Sequence, residues 1–293
     1  MVKGILKIFC ILIFPVLMCS SCSGAEKKEI NSSEIIKLLK KGKPVHIIEK
    51  IIIDDLDFTT VNEPFMITAN FLQTEIQSNI FFSNCIFMGK VTTCNKRESI
   101  PVYTSFKNNI TFTACDFRGE VEFRGAVIFG MLNFGQSIFR ENTNFDNISV
   151  WSRDNYFSQI QAEKSFSMIY ALFSGNLYFS DSRFYNRFSI QESSISGKLS
   201  FNNAGFKQKA GFDLIKVEDG AFFNYTDFEN GADFSFSRFL YTTEFINTKF
   251  TKKGIFEKTF FLNTVKFEGI DIDNELELND CYHGNNKIED NKL

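Results

Sequence analysis

The residues of this chain whose types could do chemistry are few and scattered. It has two histidines, His46 near the start and His283 near the end, so a histidine-based triad or a multi-histidine metal site would need the chain to fold back along its whole length. Asp54, Asp55 and Asp57 form one acidic cluster, Asp271 and Asp273 a second. Carboxylates so spaced offer oxygen ligands to a calcium ion, and alternation on a solvated strand face produces the same pattern. Of seven cysteines, Cys85, Cys94, Cys115 and Cys281 have no metal-site spacing. In an oxidising compartment Cys85 could pair with Cys94; the alternative is that Cys85, Cys115 and Cys281 remain compact buried thiols. The expectation is no catalytic residue, no metal and no cofactor, hence not an enzyme.

What positions these residues is set by phenylalanine. From Phe212 through Phe223, Phe234, Phe245, Phe256 and Phe267 a large apolar side chain returns every eleven residues, and a second follows each by five: Val217, Phe228, Phe239, Phe250, Phe261 and Ile272. Upstream, Phe157, Met168, Phe179, Ile190 and Phe201 keep the same register. Phe112/Phe117, Phe123/Ile128, Phe134/Phe139 and Phe145/Val150 lie one residue out of phase, which places an insertion or bulge at 151–156. The earliest units are Phe71/Ile76 and Phe82/Phe87, and the polar segment 88–105 after them reads as a protruding loop. A period this short is built by stacking. With 37 Phe against 8 Tyr and one Trp, the aromatics are of the kind that fills a core without needing a polar partner.

Two residues before many of these positions stands a smaller group, as at Ala171, Ser182, Ser193, Ala204, Thr226 and Ser237. Residues i and i−2 share one side of an extended strand, so each strand offers one small and one large group inward. The residue between them, such as Asp227, Asp233 or Glu244, is expected to face solvent. Gly175, Gly197, Gly220 and Gly231 fall where corners must be tight.

The first 21 residues pose a different problem. Lys3 and Lys7 precede an apolar run over 8–18, which has the length of a secretory signal and is too short to span a bilayer. Leu17-Met18-Cys19-Ser20-Ser21-Cys22 resembles the lipobox of bacterial lipoproteins, with Cys22 as the lipidated residue and Cys19 where an aliphatic side chain is usual. Cleavage near Ser21 without lipid, modification of Cys19 and an uncleaved anchor are the alternatives. Losing Lys3 and Lys7 leaves 30 basic against 35 acidic residues, a net charge of −5. Nucleic-acid binding, which needs a basic stripe, is excluded. Residues 22–30 read as a tether and 31–55 as a capping helix with entry strands. Asn31 and Glu34 start the helix, Ile35, Ile36, Leu38 and Leu39 form its stripe, and Gly42 and Pro44 stop it. Such a helix covers the apolar end of a stack. The stack occupies 56–281, and 282–293 is a polar tail.

Units such as Ala232-Asp233-Phe234-Ser235-Phe236, Thr226-Asp227-Phe228-Glu229-Asn230 and Cys115-Asp116-Phe117-Arg118-Gly119 resemble the pentapeptide repeat, A(D/N)LXX, in a phenylalanine-rich variety with one spacer added every second unit. The resemblance covers about Leu56 to Cys281. It implies an all-β solenoid, a right-handed quadrilateral β-helix with four short faces per coil. The added spacer makes a coil of about 22 residues here, and leaves open whether the extra residue forms a corner bulge or widens a face. Members of the family that mimic DNA are cytoplasmic and strongly acidic, and that role is not expected of an exported chain with a mixed surface.

The functional expectation follows from shape and address. Leu214, Tyr225 and Phe236 stand two residues beyond core positions, face outward and form a candidate interaction patch, with ordinary surface scatter as the alternative; the segment 88–105 is a second candidate. The expected role is that of a non-enzymatic, lipid-anchored scaffold or protein-interaction module at the cell envelope, with an unidentified protein partner. The alternative is a binder of an envelope polymer or glycan.

Overall fold

The computed structural model describes residues 27–272 and 276–288. The expected signal peptide, Cys19, Cys22 and Asp273 lie outside them.

The eleven-residue rule resolves into faces and corners, and the segment 210–231 shows how. Ala210-Gly211-Phe212, Ile215-Lys216-Val217, Ala221-Phe222-Phe223 and Thr226-Asp227-Phe228 each point in, out and in. We number these faces 1 to 4. Their corners alternate between two residues, Asp213-Leu214 and Asn224-Tyr225, and three, Glu218-Asp219-Gly220 and Glu229-Asn230-Gly231. In this coil the extra residue of the six-residue step therefore sits in every second corner and widens no face; the first strands of face 2 are longer.

Stacking the coils turns the faces into four sheets, of ten strands (face 1), thirteen (face 2), ten (face 3) and eleven (face 4), parallel throughout except for hairpins at the two ends of face 2. Register is in steps of 22: Ala210 pairs with Ala232, Lys216 with Arg238, Ala221 with Thr243 and Asp227 with Lys249. Identical core positions are thus superposed. Phe234 lies parallel to Phe212 at 4.8 Å and to Phe256 at 4.9 Å. It meets Phe223 and Phe245 of the facing column edge-on, at 5.2 and 5.4 Å. Aromatic pairs of these geometries add about 0.5–1.5 kcal/mol apiece beyond the area they bury, which is why the interior is phenylalanine and not leucine.

The expected phase break is present. Ile128 pairs with Val150 at an interval of 22, but Val150 pairs with Phe173 at 23. The added residue leaves Asn155 buried in a column of leucines. Its side chain repairs the interrupted ladder: the Leu132 N–H donates to Asn155 Oδ1 at 3.2 Å, and Asn155 Nδ2 donates to the Asn176 carbonyl at 3.1 Å.

Four expectations need correction. The segment 88–105 is not a loop: Val91–Thr92 continues face 1, and Cys94–Arg97 pairs antiparallel with Ile100–Phe106, which itself joins face 2. The turn between them, Glu98-Ser99, has both residues at positive φ without a glycine or asparagine to announce it. Phe71 is not core; it lies half-buried on a hairpin, 5.9 Å from Tyr103. The end of the tether, Lys28–Ile30, is a strand paired with Lys50–Ile52. The start of the tail is also structured, with Tyr282–His283 pairing antiparallel to Asn286–Lys287.

Helix α1 (Ser32–Lys40) closes the N-terminal end by burying Ile35 and Leu39. Asn31 makes no side-chain cap; Asp54 Oδ1 instead accepts from the Ser32 N–H at 2.7 Å. A carboxylate at that place also complements the positive end of the helix dipole.

Candidate interaction surface

The surface feature that stands out is built by the two-residue corners. Their second residue is left-handed in coil after coil: Asn147 (φ 57°), Tyr170 (57°), Glu192 (56°), Leu214 (59°), Phe236 (59°) and Lys258 (52°) at one corner. At the other are Gln136 (62°), Gln159 (61°), Asp181 (61°), Asn203 (57°), Tyr225 (56°) and Asn247 (52°). This region costs an ordinary L-residue roughly 1–2 kcal/mol, and glycine, asparagine and aspartate bear it best. Tyr170, Leu214, Tyr225 and Phe236 bear it badly, and at 51, 48, 63 and 46 % exposure they gain little burial in return.

The two columns lie at opposite corners of the coil, one between faces 1 and 2 and the other between faces 3 and 4. The expected patch of Leu214, Tyr225 and Phe236 is therefore split. Leu214 and Phe236 stack in adjacent coils, whereas Tyr225 belongs to the opposite edge, because eleven residues is half a turn. Tyr170, two coils before Leu214 in the same column, joins the ridge in its place. Leu172, outward on face 2 and 49 % exposed, extends it. The rim is polar: the Lys258 ammonium stands 5.0 Å from the Phe236 ring centre, and a hydrogen bond to the Glu192 carboxylate raises the Tyr170 phenol above its ordinary pKa. Sequence spacing gave Leu214 and Phe236; Tyr170 carried the same signal, an apolar residue at the corner offset.

Inside the same corners the small groups are more than filler. The Ser237 hydroxyl donates to the Phe212 carbonyl at 2.7 Å and accepts from the Ile215 N–H at 3.2 Å, tying one coil to the corner beneath. Thr226, Thr248 and Thr259 donate in the same way to Phe201, Phe223 and Phe234. Ser237→Ala is expected to cost about 1–2 kcal/mol, because a buried carbonyl and a buried N–H lose a partner together; urea unfolding measures it, and an unchanged midpoint would remove the bond from the account.

The remaining chemical candidates are committed to structure. Asp55 Oδ1 accepts from the Lys90 N–H at 2.7 Å, and Asp57 accepts from the Thr59 N–H at 2.9 Å and from Asn95 at 2.8 Å. With Asp54 on α1, the three aspartates serve separate backbone sites. Among the described residues no three His, Cys, Asp or Glu side chains gather as a metal site. His46 stacks on Phe81 at 4.7 Å near the N-terminal end, and His283 lies near the C-terminal end. Cys85, Cys115 and Cys281 are buried in the small inward positions. Cys85 is superposed on Cys115 of the next coil, and coupling between the two thiols lowers the pKa of Cys85 and raises that of Cys115. Burial raises Cys94 to about 11 and Cys281 to about 12, which keeps both protonated at neutral pH.

Asp233 faces outward but is half-buried, and its carboxylate accepts from the Ser235 N–H and hydroxyl at 3.1 and 2.5 Å and from Lys209 at 2.9 Å. Burial opposes its ionisation, yet Ser235 and Lys209 outweigh that and hold its carboxyl below the usual range.

The chain matches no protein-family model, no curated protein and no solved structure.

Proposed function

We propose that this protein is an exported, lipid-anchored scaffold of pentapeptide-repeat type, acting at the cell envelope by binding a protein partner along the Tyr170, Leu214 and Phe236 ridge. The observation that carries the reading is the conformational cost of that ridge. Large apolar side chains occupy left-handed corners that asparagine fills elsewhere in the same columns, and they remain in solvent. Strain retained without burial points to a contact made with something else. Faces of three residues joined by corners of two reproduce the five-residue unit, which supports the repeat assignment, with one residue added at alternate corners. A rigid rod of stacked coils presents such a ridge without reorganisation on binding.

A second reading, binding of an envelope glycan or other polymer, has one observation in its favour. On face 3 the outward rings of Tyr156 and Tyr178 stack at 5.4 Å beside Asp154, a flat platform of the kind a sugar ring can cover. It would place recognition on that face and not on the ridge.

The address rests on Cys22. In the native host, Cys22→Ala should leave an unprocessed precursor and abolish acyl-lipid labelling, while Cys19→Ala should remain labelled. Label on Cys19, or on neither residue, would refute the anchor.

A further inference from the structure

The helix that caps the N-terminal end of the rod differs in charge from the coils it covers. Along the coils cations are matched to anions: Lys90 with Glu120, Lys107 with Glu75, Arg140 with Asp116, Lys209 with Asp233, Lys266 with Glu244. On the capping helix they are not, although Arg97 pairs with Glu63 close by. Residues 27–43 hold six lysines against two glutamates, in a chain whose formal net charge is −3. Lys37, Lys40, Lys41 and Lys43, on or just beyond α1, are exposed, and among the described residues none of the four forms an ion pair.

Among the described residues, the same end carries the longest run of exposed apolar side chains. Phe65–Thr68 is the outermost strand of face 2, paired on one side only, with Phe71–Ile76. Phe65, Met66 and Ile67 are consecutive and 46, 66 and 45 % exposed. Between this end and the neighbouring hairpin lies an open cavity of 590 Å³, with Lys40, Thr59, Thr60, Asn95 and Lys96 in its wall beside the Glu63–Arg97 ion pair. With the Glu63 carboxylate engaged by Arg97, the remaining cations and hydroxyls suit a phosphate headgroup.

We infer that the N-terminal end is a membrane-docking face: Phe65, Met66 and Ile67 enter the interfacial region of an anionic bilayer while the α1 lysines contact its headgroups. An apolar wedge with lysines on the same end of the rod is what such a surface selects. Among the described residues no helix is long and apolar enough to cross a membrane, and docking needs none. Chain geometry agrees. Lys27, fixed by its ammonium to the Asn84 carbonyl at 2.7 Å, enters at this end, and four residues lie between it and Cys22, a span of five steps that reaches at most about 18 Å. In that respect the inference rests on the anchor proposed above; the docking face itself does not. A lipid anchor and a basic patch together hold a membrane better than either alone, and the rod would stand end-on with its ridge clear of the lipid.

The single tryptophan, Trp151, makes the test direct. The full chain carrying Met66→Trp with Trp151→Phe is mixed with vesicles of phosphatidylglycerol and phosphatidylcholine in equal parts, some acyl chains brominated, and compared with the natural chain. The reporter at position 66 should shift to the blue and be quenched several-fold more than Trp151. High salt, or Lys37→Glu with Lys40→Glu and Lys41→Glu, should reverse the quenching. A chain that floats with vesicles while position 66 stays unquenched overturns the inference, as does equal quenching at both positions. Concentration-dependent dimerisation that shields position 66 without lipid would assign the face to a second copy and overturn it too. Acyl labelling separates the two proposals: quenching without label removes the anchor and keeps the face, and label without quenching does the reverse.

Discussion

Replacing Phe234 with Asp is expected to abolish cooperative unfolding of the middle of the rod. The ring stacks on Phe212 and Phe256 and is met edge-on by Phe223 and Phe245, so even Phe234→Ala should cost about 3–5 kcal/mol. A carboxylate there would also be buried without a cation. Each coil is held only by its neighbours, so the damage should spread to both sides. Asp233→Ala, one residue away, should lose only about 0.5–1.5 kcal/mol, the worth of its bonds to Ser235 and Lys209. Because the Asp233 carboxyl is held low, its contribution is present above the unfolded-state value and is lost as pH falls through the lower folded one. Denaturant unfolding followed by circular dichroism measures both variants, and similar losses would contradict the inward and outward assignment.

Exchanging Tyr170, Leu214 and Phe236 together for asparagine should stabilise the protein and disable it. Asparagine tolerates the left-handed corner, so each change should relieve about 0.5–1 kcal/mol, and thermal unfolding should move upward. Removing three exposed anchors from one ridge should weaken the partner at least ~100-fold, since residues of this kind carry most of an interface's energy. Tyr225→Asn is the control: it relieves the same conformation at the opposite corner and should leave binding intact. A triple variant that is stabilised and still captures the partner at full strength would separate the strain from function.

These expectations show where sequence sufficed and where it did not. The core was legible because stacking superposes every twenty-second side chain, so Phe212, Phe234 and Phe256 must be alike in size. The one-residue insertion was legible as the step from Phe145 to Phe157, since a phase error persists downstream. The corner conformation was not. It is imposed by the path of the backbone, and Tyr170, Leu214 and Phe236 give no propensity signal for a left-handed residue. The hydroxyls of Ser237 and Thr248 read as small core groups because their partners are carbonyls of another coil, 25 residues away. The hairpin within 88–105 escaped because Cys94–Arg97 lacks an apolar alternation and its turn lacks a turn residue. Tyr225 shares the corner offset of Leu214 and Phe236, but in a coil of 22 residues the eleven-residue step is half a turn, which sets it on the opposite edge.

The central claim is that one edge of the rod, and not its opposite, meets a protein partner. A photoreactive amino acid placed at position 214 in the native host, and in a parallel strain at position 225, tests it directly. The account predicts a discrete crosslinked adduct of one protein from position 214, lost when Tyr170 and Phe236 are changed to asparagine, and none from position 225. Adducts of equal yield from both positions, or from neither, would contradict it.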